Sequence, residues 1–447
     1  MDILIKVGQL VLSLSILIVL HEFGHFLPAR LFGTRVEKFY LFFDPGFSLF
    51  KKKIGETEYG IGWLPLGGYV KISGMIDESF DKEQMEQEPQ PYEFRSKPAW
   101  QRLIIMLGGV TVNFLLGFFI YAMVLFGYGE EYFPAENVTA GIAVDSLGQE
   151  IGLRSGDKIL SVGDVPFERF NDRIVLREIA INNASTIEVE RDDRLTTVPV
   201  DPKWTDVLTR YENKEARLFT FRMPFVIGMV EAGGPADEAG LEVEDQVVSI
   251  DGIATPYFDQ FADQVKNKKG QTVVLGVRKK DSDVVQDVTV KLTEEGTMRV
   301  AAASPDYFYD TERQEYTFAE SIPAGIDQGV QFLGDQFKAF GQMFAGKIKV
   351  TESLGGFASI GGMFGTTWNW ERFWYMTASL SLILAFMNLL PIPALDGGHV
   401  MFLLYEVVSG RKPSDAFMER ATMVGFVIVL GLVLLANGLD IWRAISN

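Results

Sequence analysis

With 447 residues, the chain is too long for one ordinary domain, and its 47% of hydrophobic residues fits a mixture of membrane spans and folded soluble parts. Its formal net charge of −18 argues against a nucleic acid partner, because proteins that bind nucleic acid present basic surfaces. The absence of cysteine excludes disulfides and thiolate metal sites. Histidine is rare as well, since the chain holds only His21, His25 and His399.

Four long apolar segments predict a helical transmembrane core of four spans, because each is near the roughly 20 residues that cross a bilayer. They cover 3–26, 103–126, 373–395 and about 421–438. The first short loop carries Arg30 and Arg35, and the loop between spans three and four carries Arg411 and Lys412. Short cytoplasmic loops are rich in such residues, so both loops are predicted to be cytoplasmic. The segment from about 128 to 370 then lies on the other side of the membrane.

The five residues H-E-F-G-H end the first apolar segment. On a helix, His21 and His25 are four residues apart, project from one face and can hold one metal ion. Glu22 between them is placed to act on water activated by the metal rather than on the metal itself. Ionisable groups are costly inside a membrane, so this cluster indicates a functional site.

A catalytic zinc ion usually has three protein ligands and one open position. Asp396 follows the third apolar segment. The first and third spans cross the membrane in the same direction, so Asp396 and the two histidines lie at the same, cytoplasmic end. Asp396 is therefore the predicted third ligand. The sequence leaves His399 open as a rival ligand or as a neighbour of the site.

Two asparagines in apolar segments have alternative interpretations. Asn113 follows the pair Gly108–Gly109 and is either a helix-packing residue or a neighbour of the site. Asn388 forms either an interhelical hydrogen bond or a hydrogen bond to an unwound substrate. Pro391 and Pro393 follow it and favour the second interpretation, because they interrupt the helix.

The cytoplasmic loop between the first two spans contains a predicted β segment. Residues 54–76 alternate apolar and polar side chains around several glycines, which predicts a small hairpin or strand pair. The pattern fits a segment that enters the membrane interface and an ordinary surface hairpin equally well. Residues 77–97 are acidic and contain glutamine and proline, as is typical of a loose connector.

The segment between spans two and three carries an internal repeat. Residues 152–162 recur 88 residues later as 240–250, each copy with a Gly-Leu step, an acidic turn and a strand. A helix is predicted after each copy, at 171–181 and 258–267. The repeat therefore predicts two β-rich (α+β) modules of about 80–90 residues each.

The modules resemble PDZ domains in their circularly permuted bacterial form, the first copy less well than the second. PDZ domains bind extended peptide ends by strand addition, but the sequence leaves open whether either copy binds a peptide or only restricts access. Apolar residues at helical spacing over 320–345 predict an amphipathic helix on the outer membrane surface. The predicted domains are 1–127 (spans one and two), 128–218 and 219–305 (the PDZ-like pair), 306–370 (amphipathic and interfacial) and 371–447 (spans three and four).

The motifs of the three spans together resemble the site-2 protease family of intramembrane zinc metalloproteases. They are HExxH in span one, Gly-x-x-x-Asn in span two and Asn-x-x-Pro-x-Pro-x-Leu-Asp-Gly in span three. The tandem PDZ-like insertion between spans two and three is similar to that of one type of Gram-negative bacterial member of this family. The resemblance covers nearly the whole chain, and its weakest stretch is 77–97.

The resemblance implies one zinc ion per chain and a protease of the bacterial inner membrane, with its PDZ domains periplasmic and its active site near the cytoplasmic side. It assigns His21, His25 and Asp396 to zinc, Glu22 to general acid–base catalysis, and Asn388, Pro391, Pro393, Gly67, Gly68 and Tyr69 to substrate. The implied substrate is a transmembrane anti-sigma factor already trimmed outside, cut in regulated intramembrane proteolysis during envelope stress, and remnant signal peptides are also implied. Membrane lipid is the other implied partner.

Two other functions compete with an intramembrane protease. One is a membrane-anchored metalloprotease that acts on soluble or misfolded chains, although the apolar run directly before His21 counts against it. The other is a PDZ membrane scaffold with a structural metal. A structural site would fill all four metal positions with protein ligands and would have no need for Glu22.

Overall fold

The structure is a computed structural model that describes residues 2–75, 88–213, 216–280 and 282–446. The chain divides into two compact units. The first combines Met1–Gly129, Glu315–Phe337 and Leu354–Asn447, and the second combines Glu130–Gln314 and Lys338–Ser353. Residues 77–87 of the predicted acidic connector lie outside the described residues.

Long apolar helices form most of the first unit. Among the described residues the α-helices are, in chain order, α1 Asp2–Leu31, α2 Ala99–Tyr128, α3 Ser146–Ile151, α4 Asp172–Ala180, α5 Trp204–Thr209, α6 Pro235–Glu238, α7 Phe258–Val265, α8 Phe318–Phe344, α9 Val350–Ser353, α10 Phe357–Met363, α11 Trp370–Leu389, α12 Asp396–Ser409 and α13 Asp415–Ser446. Three helices of the described chain are long and apolar enough to cross a membrane, namely α1, α2 and Ala416–Ser446 within α13. This confirms that the chain has membrane-type helices.

The third predicted span differs from the prediction. The apolar segment 373–395 is not one helix, because α11 ends at Leu389 and a new helix, α12, begins at Asp396. Pro391 and Pro393 lie in the break, where each removes a backbone donor and fixes its own φ. The helix α11 is not among the three candidate spans of the described chain.

Glycines bring α1 and α2 into backbone contact. A Cβ atom added at Gly24 would lie 2.7 Å from the carbonyl carbon of Gly108 and 2.8 Å from Cα of Gly109. Only glycine permits so close an approach, as at the small-residue interfaces of membrane helices. The contact lies between His21 and His25 in the sequence, so it fixes the motif against α2.

Strands occur in both units. Among the described residues they are β1 Val36–Phe43, β2 Phe50–Ile54, β3 Thr57–Ile61, β4 Leu64–Ile72, β5 Glu130–Tyr132, β6 Ile142–Val144, β7 Lys158–Val162, β8 Val165–Pro166, β9 Thr186–Arg191, β10 Arg194–Pro199, β11 Phe219–Phe221, β12 Phe225–Val230, β13 Gln246–Ile250, β14 Ile253–Ala254, β15 Thr272–Arg278, β16 Val285–Lys291, β17 Val300–Ala302 and β18 Glu312–Gln314. This confirms the predicted content of β-structure.

The sheet of the first unit differs from the predicted strand pair within 54–76, because β3 and β4 do not pair with each other but lie on either side of β1. Its four strands lie in the order β2-β3-β1-β4, so it begins at Val36 rather than near residue 54. β1 pairs with β3 in parallel and with β4 in antiparallel orientation. The parallel pairing joins strands that are not neighbours in the chain, which a local alternation pattern cannot reveal. β4 is left at one edge of the sheet.

In the second unit, each copy of the repeat has its own sheet and apolar core. The first copy has the strand order β10-β9-β7-β8, with Val175 and Ile187 among its fully buried residues. The second has the order β16-β15-β13-β12-β17, with Val247 and Leu275 in the corresponding role. The two predicted helices are present as α4 and α7.

The acidic turn of each copy holds a buried carboxylate. Asp157 accepts a hydrogen bond from the Arg154 backbone and pairs with Arg191 at 2.7 Å. Asp245, in the equivalent position, accepts from the backbone three residues earlier and pairs with Lys279 at 2.8 Å. Both aspartates are only 1% exposed. The acidic positions of the repeat are therefore structural, because a buried carboxylate must be paired and hydrogen-bonded.

Candidate metal centre

Two imidazoles from α1 form the first part of the site. His21 and His25 are one helical turn apart, and their ring centroids are separated by 4.9 Å. Their Nε2 atoms lie 3.2 Å from each other. Both rings therefore direct the same nitrogen to one point beside the helix.

Asp396 completes the group from the start of α12. Its Oδ2 atom lies 3.2 Å from Nε2 of His21 and 3.4 Å from Nε2 of His25. The loop before it folds closely onto the first turn of α12, since a Cβ at Gly398 would lie 2.7 Å from the nitrogen of Pro393. The break between α11 and α12 thus brings the carboxylate to α1.

The three donor atoms fit a zinc ion. They form a triangle with sides of 3.2–3.4 Å. Tetrahedral zinc, with bonds of about 2.0–2.1 Å, separates its ligand atoms by roughly 3.3 Å. Oδ2 of Asp396 is also buried without a well-formed hydrogen bond, an unfavourable state that a cation would relieve. His21, His25 and Asp396 together are a group able to hold a metal ion.

Glu22 lies beside this group, between α1 and the sheet. A Cβ at Gly68 would lie 3.6 Å from Cγ of Glu22, so β4 passes directly along this side chain. The glutamate is therefore held next to the metal-binding group and next to the edge of a sheet.

The helix α2 covers the other side of the two imidazoles. The backbone carbonyl of Ile105 lies 2.8 Å from Nδ1 of His25, and the side-chain amide of Asn113 lies 3.2 Å from Nδ1 of His21. Gly109 lies between Ile105 and Asn113 on α2, and a Cβ atom there would lie 2.8 Å from Nε2 of His21. The glycine leaves the space that the rings occupy.

Adding one methyl group at Gly109 is expected to impair metal binding. In Gly109→Ala the new Cβ meets both imidazoles, so zinc affinity should fall by about 10-fold or more, the scale known for disturbing residues around metal ligands. Gly127→Ala is the matched control on the same helix, because a Cβ there has nothing within 4 Å. Zinc content after dialysis measures the effect, and equal content in both variants would contradict the packing argument.

The three residues predicted to contact substrate in the sheet lie on β4. Gly67 and Gly68 precede Tyr69, whose hydroxyl donates to Oδ1 of Asp44 at 2.9 Å and whose ring stacks on Tyr40 at 5.2 Å. Burial raises the pKa of Tyr69, and the hydrogen bond to Asp44 raises it further, so the phenol stays protonated. Tyr69 therefore rigidifies this edge strand, while Gly68 lies nearest to Glu22.

The remaining candidates lie around the break before Asp396. Asn388 is in the last turn of α11, and Pro391 and Pro393 lie in the connecting loop. His399 is one turn beyond Asp396 on α12 but lies outside the metal-binding group. It lines a separate cavity, with its ring edge against Phe402 at 6.3 Å.

A donor triad on apolar helices, beside a glutamate, is the arrangement of a membrane metalloprotease. The sequence matches peptidase family M50 over residues 9–432. It is 27% identical to the protease RseP of Yersinia pestis, over 98% of both chains. It is also 27% identical to the regulator of sigma E protease of Haemophilus influenzae, over 99% of this chain and 100% of that one. A relative from Vibrio cholerae, 28% identical over 99% of both chains, has the words zinc metalloprotease in its name.

The chain belongs to peptidase family M50, the site-2 type metalloproteases. The match confirms the family predicted from the three span motifs. Relatives named RseP or regulator of sigma E protease, each 27% identical over nearly the whole chain, confirm the resemblance to this type of protease. The enzyme class is therefore that of a membrane metalloprotease.

Some parts of the site had little or no signal in the sequence. The carbonyl of Ile105 is a backbone group, which any residue provides. Gly109 was visible only as one of two adjacent glycines in an apolar helix. Its position against the imidazoles depends on how α1 and α2 cross, and a single helix pattern does not contain that information.

Proposed function

We propose that the chain is an intramembrane zinc endopeptidase that cuts a transmembrane segment of a single-span substrate already trimmed outside the membrane. The observation that carries this proposal is the convergence of His21, His25 and Asp396 beside Glu22, with both histidines on the apolar helix α1. Placing ionisable side chains on a membrane-spanning helix costs free energy, so such residues usually serve a function. Membership of family M50 supports the reaction class.

Each residue of the centre has a role in the proposed reaction. His21, His25 and Asp396 would hold zinc, which when bound supplies a Lewis acid that polarises the scissile carbonyl and acidifies water. Glu22 accepts the proton of the attacking water and passes it to the leaving amide nitrogen. The strand β4, which passes Glu22 at Gly68, borders the carboxylate during both transfers.

The substrate is proposed to bind in an extended form along β4. A helical peptide has its carbonyls engaged in hydrogen bonds, so a transmembrane segment must unwind before water can attack it. β4 is an edge strand and passes Glu22 at Gly68, so strand addition there would bring an extended backbone to the centre. Gly67 and Tyr69 extend this surface. Asn388, with Pro391 and Pro393 shaping its loop, would hold the substrate from the side of α11.

The proposed topology has four spans, with α11 as the third crossing between α2 and α13. Basic residues in the short loops support a cytoplasmic position for the sheet and for the metal centre. The protein would then lie in the inner membrane of a bacterium, in contact with lipid, with the repeat modules in the periplasm. Its domains would follow the predicted boundaries 1–127, 128–218, 219–305, 306–370 and 371–447.

The two repeat modules are proposed to be PDZ domains that restrict access to the centre. Large folded ectodomains would be excluded sterically, and either module would offer a groove for an extended peptide end. The name regulator of sigma E protease, carried by a relative, supports an anti-sigma factor as the substrate and envelope stress signalling as the context. Remnant signal peptides are proposed as further substrates, because they too are short apolar segments without a bulky ectodomain.

Metal removal tests this function. The purified protein, stripped by a chelator and dialysed, should lose cleavage of a membrane-spanning peptide, and one equivalent of zinc per chain should restore it. Magnesium is the control, because this nitrogen-containing ligand set does not suit it. Full cleavage by metal-free protein would contradict the proposal. Restored cleavage of soluble unfolded chains alone would favour a membrane-anchored protease of the ordinary kind.

A further inference from the structure

We propose that α2 orients both imidazoles of the centre, and that Asn113 is the positioning residue that fixes the tautomer and direction of His21. The inference rests on the proposed metal site and adds a residue to it. Ile105, Gly109 and Asn113 recur every four residues, so they form one stripe of α2. Ile105 and Asn113 contact the Nδ1 atoms of the rings, on the side away from Asp396, and Gly109 lies between them against the rings.

The contact of His25 determines its tautomer. Its Nδ1 lies 2.8 Å from the carbonyl oxygen of Ile105, and a carbonyl can only accept. Nδ1 of His25 must therefore carry the hydrogen, and in the neutral ring the lone pair is then on Nε2. That lone pair is directed towards His21 and Asp396, where the proposed metal would lie. Ligating histidines commonly donate their other ring nitrogen in this way.

The same logic assigns an orientation to the amide of Asn113. If Nε2 of His21 binds the metal as a neutral ring, Nδ1 carries hydrogen and needs an acceptor. The amide nitrogen of Asn113 is placed at 3.2 Å from this Nδ1, while its oxygen is buried without a hydrogen-bond partner. Amide oxygen and nitrogen exchange places by a rotation of 180°. The rotated amide accepts from His21 and relieves the unpaired oxygen at once.

Asn113 is held for this role by a third helix. Ser381 of α11 donates a hydrogen bond from its hydroxyl to the backbone carbonyl of Asn113 at 2.7 Å. Asn113 is 1% exposed and Ser381 is fully buried. A bond of this kind inside a helix bundle resists sliding and rotation of α2, so the amide keeps its place relative to His21. The plainer alternative is that Asn113 only holds the helices together.

Two substitutions at Asn113 separate these roles. Asn113→Leu keeps the approximate volume but removes the acceptor, and zinc affinity, measured by competition with a chromogenic chelator, should fall about 10–100-fold. Asn113→Asp keeps an acceptor for Nδ1 of His21 and should stay within a few-fold of wild type. A packing role predicts the reverse order, because leucine is apolar and aspartate adds a buried charge.

The absorption spectrum of the cobalt-substituted protein is the second measurement, since it reports ligand geometry without any turnover. We expect an altered spectrum in Asn113→Leu and a wild-type spectrum in Asn113→Asp. Wild-type affinity in Asn113→Leu, or equal losses in both variants, would overturn the inference. If Asn113→Leu does not fold, Asn113→Ala makes the same comparison. Wild-type protein that binds no zinc would instead refute the proposed function itself.

Discussion

Glu22→Gln is expected to bind one zinc ion per chain and to cleave a membrane-spanning peptide about 10²–10⁴-fold more slowly than wild type. The amide keeps the size of the side chain and its contact with β4, but it cannot take a proton from water. The metal-binding group does not include Glu22, so its affinity for zinc should be retained. Parallel zinc analysis and cleavage assays on the same preparation measure both effects.

Glu56→Gln is a suitable control for this experiment. Glu56 lies in the turn between β2 and β3, with 62% of its side chain exposed, so removal of its charge should change neither zinc content nor cleavage. Full activity of Glu22→Gln would refute the assignment of the general base. Loss of zinc from that variant would show that Glu22 belongs to the metal-binding group rather than to the proton transfer.

Asp396→Ala is expected to lower zinc affinity by more than about 100-fold. Changes in residues that merely surround metal ligands already cost 10–100-fold, and Asp396 would be a ligand itself. Its Oδ2 is the atom of the group that lies 3.2 Å and 3.4 Å from the two imidazole nitrogens. The substitution leaves those nitrogens without their third partner, and zinc retained after dialysis measures the loss.

His399→Ala tests the competing third ligand. His399 lies one turn further along α12 and outside the metal-binding group, so this variant should retain zinc and cleavage. The opposite pattern, with zinc retained in Asp396→Ala and lost in His399→Ala, would transfer the role to the histidine. Both variants lie near the start of the same helix, and their unfolding temperatures show whether either change acts through the fold.

The grouping of His21, His25 and Asp396 could be predicted because its geometry is simple. His21 and His25 share a helix, and their spacing alone places them on one face. The position of Asp396 could be predicted by counting membrane crossings. An even number of crossings between two residues places both at the same end of the bundle, whatever the packing of the helices. The repeat could be predicted because its two copies have the same Gly-Leu step and an aspartate at the same position of the acidic turn.

Other features depend on contacts between distant segments. The strand Val36–Phe43 pairs in parallel with Thr57–Ile61. A short apolar run of this kind does not distinguish a strand from a buried helical segment. The helix Asp396–Ser409 is too short for a membrane span and carries no regular charge pattern. Gly24 and Gly109 acquire their importance only where α1 and α2 cross. These features follow from tertiary packing rather than from local propensity.

The position of the cut is the most direct test of an intramembrane protease. The wild-type protein and a single-span peptide are reconstituted together in liposomes, and the products are analysed by mass spectrometry. We expect new termini inside the apolar segment of the peptide with the wild-type protein, and none of these products with Glu22→Gln. Cuts confined to the soluble flanks of the peptide, or cleavage only of soluble unfolded chains, would contradict this expectation.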